Sequence, residues 1–195
     1  MSAPTVVGIS GSLSTPSRTA ALVGGLLDGI ATATGARTKL IELADAADAL
    51  FAVRSPHDIN PAAREVLSTV EGANMLVVGT PVYRASYSGV LKHLFDLVDH
   101  RAFAGKPVVL AATGGSLMHG LVIEHQLRPL FGFLGALTLP TAVYAVETDF
   151  ADYRLINSNI LARIQRASAE AVPVLKRHKV NVALATPAVG QVGPG

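Results

Sequence analysis

The chain has 195 residues, half of them hydrophobic, which suits one α/β domain with a buried core and a short tail. It contains no cysteine, which excludes disulfides, thiolate metal sites and cysteine nucleophiles and fits a reducing cytoplasm, the expected compartment. A formal charge of only +2, no Lys/Arg run, interrupted apolar stretches and no signal-like N-terminus argue against nucleic-acid binding, a membrane span or export.

The first expected strand, Thr5 to Ile9, runs into Ser10-Gly11-Ser12-Leu13-Ser14-Thr15-Pro16-Ser17-Arg18-Thr19. A helix follows from about Ser17 to Thr34, with Val23, Leu26, Leu27 and Ile30 on one face and Gly35 ending it. A strand, a Ser/Gly loop and a helix N-terminus in that order make an anion site, because first-turn N–H groups lack helical acceptors and the dipole adds positive charge. Ser10, Ser12, Ser14, Ser17 and Thr19 each carry a hydroxyl for a phosphate oxygen, and Arg18 adds a guanidinium fork. The plainer alternative is that Ser and Thr only cap a helix. The loop is not a P-loop, since no Lys follows its second glycine, and Gly8 and Gly11 do not make the dinucleotide spacing.

Strand two is expected over Thr38 to Leu43, then a loop through Arg54 to Asn60. Asn60-Pro61 reads as a cap and first-turn proline opening helix two, to about Ala73. Strand three, Met75 to Gly79, is a continuous apolar run of the kind a parallel sheet buries on both faces. After Pro81-Val82-Tyr83-Arg84 comes helix three, about Ser88 to His100. Strand four, Pro107 to Ala112, leads into Thr113-Gly114-Gly115 and helix four, about Leu117 to Leu134. Strand five is expected from about Leu137 to Tyr144, then a polar link with Glu147, Thr148, Asp149 and Asp152, and a last helix from about Ile156 to Lys176. The domain is expected over residues 1–178, with 179–195, rich in Ala, Pro and Gly, as a disordered tail.

Alternating strands and helices predict an α/β, flavodoxin-like three-layer sandwich around a five-stranded parallel sheet of order 2-1-3-4-5. In that order the loops after strands one, three and four meet at the switch point between strands one and three. Pro81 stiffens the second loop, Tyr83 and Arg84 can border a conjugated ring, and Gly114-Gly115 lets backbone approach a flat ligand. Phosphate on the first loop and a flat heterocycle between the others describe flavin mononucleotide. Read singly, Gly114-Gly115 is an ordinary turn and Tyr83-Arg84 a surface pair. His119 and His125 are six apart, not on one helical face, so no metal site is expected. Gly11-Ser12-Leu13 is not a nucleophile elbow.

At these loops the chain resembles the NAD(P)H-dependent FMN reductase family, which has a flavodoxin-like fold. The resemblance spans roughly residues 5–177 and rests on Ser10-Gly11-Ser12 with Ser17-Arg18, on Pro81 to Lys92 with Asp96-Leu97, on Lys106-Pro107 and on Ala112 to Gly115. It is similar in particular to reductases that supply reduced flavin to alkanesulfonate and methanesulfonate monooxygenases. The resemblance implies hydride transfer from NADH or NADPH to FMN, positioned by the flavin site with no catalytic side chain, and release of reduced FMN to a partner flavin-dependent monooxygenase. It implies that Ser10, Ser12, Leu13, Ser17, Arg18 and Thr19 hold the phosphate and ribityl chain. Pro81, Val82, Tyr83, Arg84, Thr113, Gly114 and Gly115 would hold the ring. It further implies a homodimer or homotetramer, with His125 either at the place where sulfonate-linked members pack or simply an ordinary polar helical residue. Two rivals share the flavin loops: a quinone or azo reductase that keeps its FMN, and an electron-carrying flavodoxin, disfavoured by the slightly basic charge.

Overall fold

In the computed structural model, which describes residues 3–55 and 57–185 with side chains through Lys176, strand β1 (Thr5–Ser10) is an interior strand of a parallel sheet. It pairs with β2 (Arg37–Glu42) on one side and β3 (Met75–Pro81) on the other, and β3 pairs with β4 (Pro107–Gly114). Every residue of β3 is buried, as expected of a strand with helices on both faces. β2 is the edge, with Arg37, Thr38 and Lys39 exposed, and such polar side chains discourage further strand pairing.

The side chains alternate between two cores. Val7, Ile9, Leu76, Val78, Val108 and Leu110 face α2 (Leu43–Phe51), α3 (Pro61–Glu71), α4 (Gly89–Leu97) and α5 (Arg128–Phe133). Val6, Met75, Val77, Val109 and Ala111 face α1 (Arg18–Thr34) and α6 (Ser158–Ala185). The three-layer flavodoxin-like arrangement and the order 2-1-3-4 are therefore as read from the sequence.

The fifth position departs from expectation. The run 137–144 is two short strands, β5 (Leu137–Thr138) beside the start of β4 and β6 (Val143–Val146) beside its end. Pro140, which has no N–H, lies in the gap. The gap's backbone is satisfied by side chains instead: Glu170 accepts from the Thr141 N–H (2.9 Å), and Arg128 donates to the Leu139 carbonyl (3.0 Å).

The expected loop after strand two contains α2, which follows β2 without a turn and buries Leu43, Ala46 and Leu50. Helix three is shorter than expected, its end replaced by a 3₁₀ turn at His100–Phe103. Expected helix four is broken into a 3₁₀ turn (Leu117–His119), a π turn (Ile123–Leu127) and α5, which has Pro129 in its first turn. The polar link folds into a hairpin, β7 (Phe150–Ala151) with β8 (Arg154–Leu155). Helix α6 continues to Ala185, so 179–185, expected within a disordered tail, are helical. No proline or glycine interrupts the chain between Lys176 and Pro187. The rest of that tail, 186–195, lies outside the described residues. Among the described residues no helix is long and apolar enough to cross a membrane.

Candidate flavin site

Two glycines draw α1 down onto the sheet. A Cβ on Gly8 would lie 2.6 Å from a Leu27 methyl and 2.7 Å from a Val23 methyl, and one on Gly79 2.4 Å from the other Val23 methyl. This close approach sets the N-terminus of α1 at the carboxyl ends of β1 and β3. Loop one is then tied to its neighbours: the Gly11 N–H donates to the Gly79 carbonyl (2.8 Å), and the Ser88 hydroxyl donates to the Gly11 carbonyl (2.6 Å). The hydroxyls of Thr19 and Thr113 meet at 2.7 Å, joining the start of α1 to the end of β4.

A cavity of about 310 Å³ opens over these strand ends, near the lower end of the usual range for small-molecule sites, ~300–1,000 Å³. Ser12, Ser17, Arg18 and Thr19 of the first predicted group line it, together with Ser14 and Pro16. Pro81, Val82, Tyr83, Thr113, Gly114 and Gly115 of the second group line the remainder. Three predicted residues fall off the wall. Ser10 is fully buried at the end of β1, Leu13 is exposed, and Arg84 sits exposed in the turn beyond Tyr83. Two wall residues come from outside the three predicted loops, Glu147 and Tyr153, both in the segment after β6.

The hydroxyls divide their duties. Ser17 caps α1, its oxygen accepting from the Ala20 N–H at 3.2 Å, so the capping alternative holds for that residue. Ser12 accepts from the Ser14 N–H at 3.1 Å and stiffens the loop. The buried Ser10 hydroxyl has no partner among the described residues. Arg18 pairs with Glu147, Nη2 to Oε1 2.5 Å, and its guanidinium carbon lies 5.3 Å from the centre of the Tyr153 ring.

Both tyrosines are held by left-handed backbone. Arg84 (φ 51°) and Ala85 (φ 62°) form a two-residue reversal closed by hydrogen bonds between Tyr83 and Ser86, 2.9 and 3.1 Å. Asp152 (φ 46°) and Tyr153 (φ 61°) do the same at the tip of the β7–β8 hairpin. Non-glycine residues in this region cost energy, and such strain concentrates where side-chain placement is functional. The hairpin's base is fixed by buried Asp149, which accepts from the Val146 N–H (2.7 Å) and the Asn157 amide (2.6 Å). Loop three is fixed by Tyr144, whose hydroxyl donates to the Ser116 carbonyl at 2.6 Å. Burial pushes the Tyr144 phenol upward, keeping it a neutral donor. That hydroxyl lies 2.2 Å from where a Gly114 Cβ would be, so a side chain there would have to displace it.

The wall fits a phosphate monoester carrying a planar ring. Hydroxyls, a guanidinium and a helix N-terminus supply phosphate donors, and Tyr83, Val82, Pro81 and two glycines supply flat apolar contact. A Cβ on Gly115 would meet nothing within 4 Å, so backbone there borders open space.

The family model described as NADPH-dependent FMN reductase matches residues 4–151. The chain belongs to that family. It is accordingly an oxidoreductase, an FMN reductase working with FMN and NADH or NADPH. The reductase is similar to the NADH-dependent FMN reductase SfnF of Pseudomonas fluorescens (strain Pf0-1), 47% identical over 89% of this chain and 92% of that protein. It is equally similar to the NADH-dependent FMN reductase SfnE of Pseudomonas putida, 47% identical over 91% of this chain and 96% of that protein. Among solved structures it resembles an oxidoreductase from Corynebacterium diphtheriae, with TM-score 0.80, 32% identity, and coverage of 90% and 98% of the two chains.

Proposed function

We propose that the cavity over β1, β3 and β4 binds FMN, that a nicotinamide nucleotide reduces it there, and that reduced FMN leaves for a partner flavin-dependent monooxygenase, of the sulfonate or organosulfur type. The observation that carries this reading is the convergence of phosphate donors and flat ring contacts on one wall. When bound, FMN supplies the redox chemistry, accepting a hydride at N5 from the dihydronicotinamide. The chain supplies position. Ser12, Ser14, Arg18 and the first turn of α1 take the phosphate end. Pro81, Val82, Tyr83, Thr113, Gly114 and Gly115 would hold the ring, and the rigid turns on both sides hold the tyrosines in place. Leu13 and Arg84, off the wall, border incoming ligand from the rim.

Supply to a partner is supported by the likeness to SfnF and SfnE. A homodimer or homotetramer is supported by Leu117, Met118 and Leu121, all strongly exposed, beside the π turn that carries exposed His125. The test is NADH and NADPH oxidation by flavin-stripped protein with FMN as sole acceptor. Saturable turnover needing FMN far above the enzyme concentration is expected. Turnover at stoichiometric FMN that depends on an added quinone or azo compound would replace the supplier role with a prosthetic-group reductase.

A further inference from the structure

We infer that Glu147 competes with the flavin's phosphate for Arg18 and so holds FMN affinity low enough for release. This rests on FMN binding in the cavity and concerns how that binding is tuned. Among the described residues lining the cavity, Arg18 is the one cation and Glu147 the one anion, and they are paired to each other. A phosphate monoester binds a guanidinium best through two parallel N–H donors, and Glu147 holds one arm of that fork. The carboxylate also repels the phosphate, which carries about −1.5 to −2 charges at neutral pH.

The pair is partly open to water, with side chains 39% and 65% exposed, so it is weak enough for phosphate to displace. The competition therefore weakens phosphate binding without closing the site. It does so selectively, because Glu147 acts on the charged end of the ligand and not on the ring. Its position is not left to chance: the 3₁₀ turn Glu147–Asp149 is fastened by the Asp149 carboxylate, and Tyr153 holds the same guanidinium from the hairpin tip. A reductase that passes its flavin on gains from such a brake.

The experiment titrates flavin-stripped, full-length wild type, Glu147→Gln, Arg18→Gln and the double variant with FMN and with riboflavin, following flavin fluorescence. Glu147→Gln is expected to tighten FMN about fivefold, the size of an exposed ion pair, and to leave riboflavin unchanged. The gain is expected to vanish when Arg18 is already Gln. Equal FMN affinity in wild type and Glu147→Gln overturns the inference, as does a gain shared by riboflavin or one that survives without Arg18. Wild type that binds neither flavin overturns the underlying reading of the cavity, a result distinguishable from the others.

Discussion

The hydroxyl bond between Thr19 and Thr113 is a buried side-chain link between the start of α1 and the end of β4, and both residues line the cavity. Thr19→Val keeps the shape but leaves Thr113 short of a partner, so a loss of about 1–2 kcal/mol is expected in urea unfolding, with weaker FMN binding. Gly114→Ala drives a methyl into the Tyr144 hydroxyl and should cost about 1–3 kcal/mol, while Tyr144→Phe in the same chain restores part of it. Lys106 offers a pH test. Its ammonium donates to the Val70 and Glu71 carbonyls (3.2 and 2.6 Å) at the end of α3, and burial lowers its pKa from 10.5 to about 8. Between those values the unfolded chain holds a proton that the folded chain has released, so this group's contribution rises with pH and the burial cost is felt below about 8. Wild-type stability relative to Lys106→Met should climb from pH 8 toward 10.5, whereas a flat difference would show that the ammonium is not disfavoured. At this scale most of the cavity wall was legible, because hydroxyls, Arg18 and glycines announce themselves by type. Glu147 and Tyr153 were not. Arg18 meets Glu147 across 129 positions of sequence, and no local pattern marks such a meeting.

At the scale of elements the decisive contact is α1 on β1 and β3. Gly79→Ala places a carbon 2.4 Å from a Val23 methyl, and overpacking of this kind costs about 1–3 kcal/mol. Val23→Ala should relieve it, so the double variant is expected to be more stable than the sum of the single losses implies, measured by a double-mutant cycle in urea. β1, β3 and β4 were readable because strands buried on both faces are continuous apolar runs. α2 was not, because the chain enters it from β2 with no cap side chain or turn signal to mark the change. The fifth strand was read as unbroken because the sequence does not show that Glu170, Arg128 and Arg163 satisfy the interrupted backbone from outside the sheet. Helix four was drawn through a region where 3₁₀ and π turns share the same apolar residues an α-helix would use.

For the whole molecule, the strand order and the meeting of three loops followed from alternation of strands and helices, and they bring the residues of the proposed flavin site to one end of the sheet. The exposed Leu117, Met118 and Leu121 next to that end are the surface on which self-association is proposed, and Met118→Glu with Leu121→Glu is expected to yield smaller species in sedimentation. Unchanged size would place any interface elsewhere. The central claim is that this cavity is where the nicotinamide nucleotide reduces FMN. Gly115→Val tests it most directly, since a side chain there meets open space and not protein. The account predicts unchanged thermal unfolding with FMN-dependent NADH and NADPH oxidation reduced by at least about tenfold, a barrier change of about 1.4 kcal/mol. Full activity in a folded Gly115→Val protein would contradict it and put the flavin elsewhere.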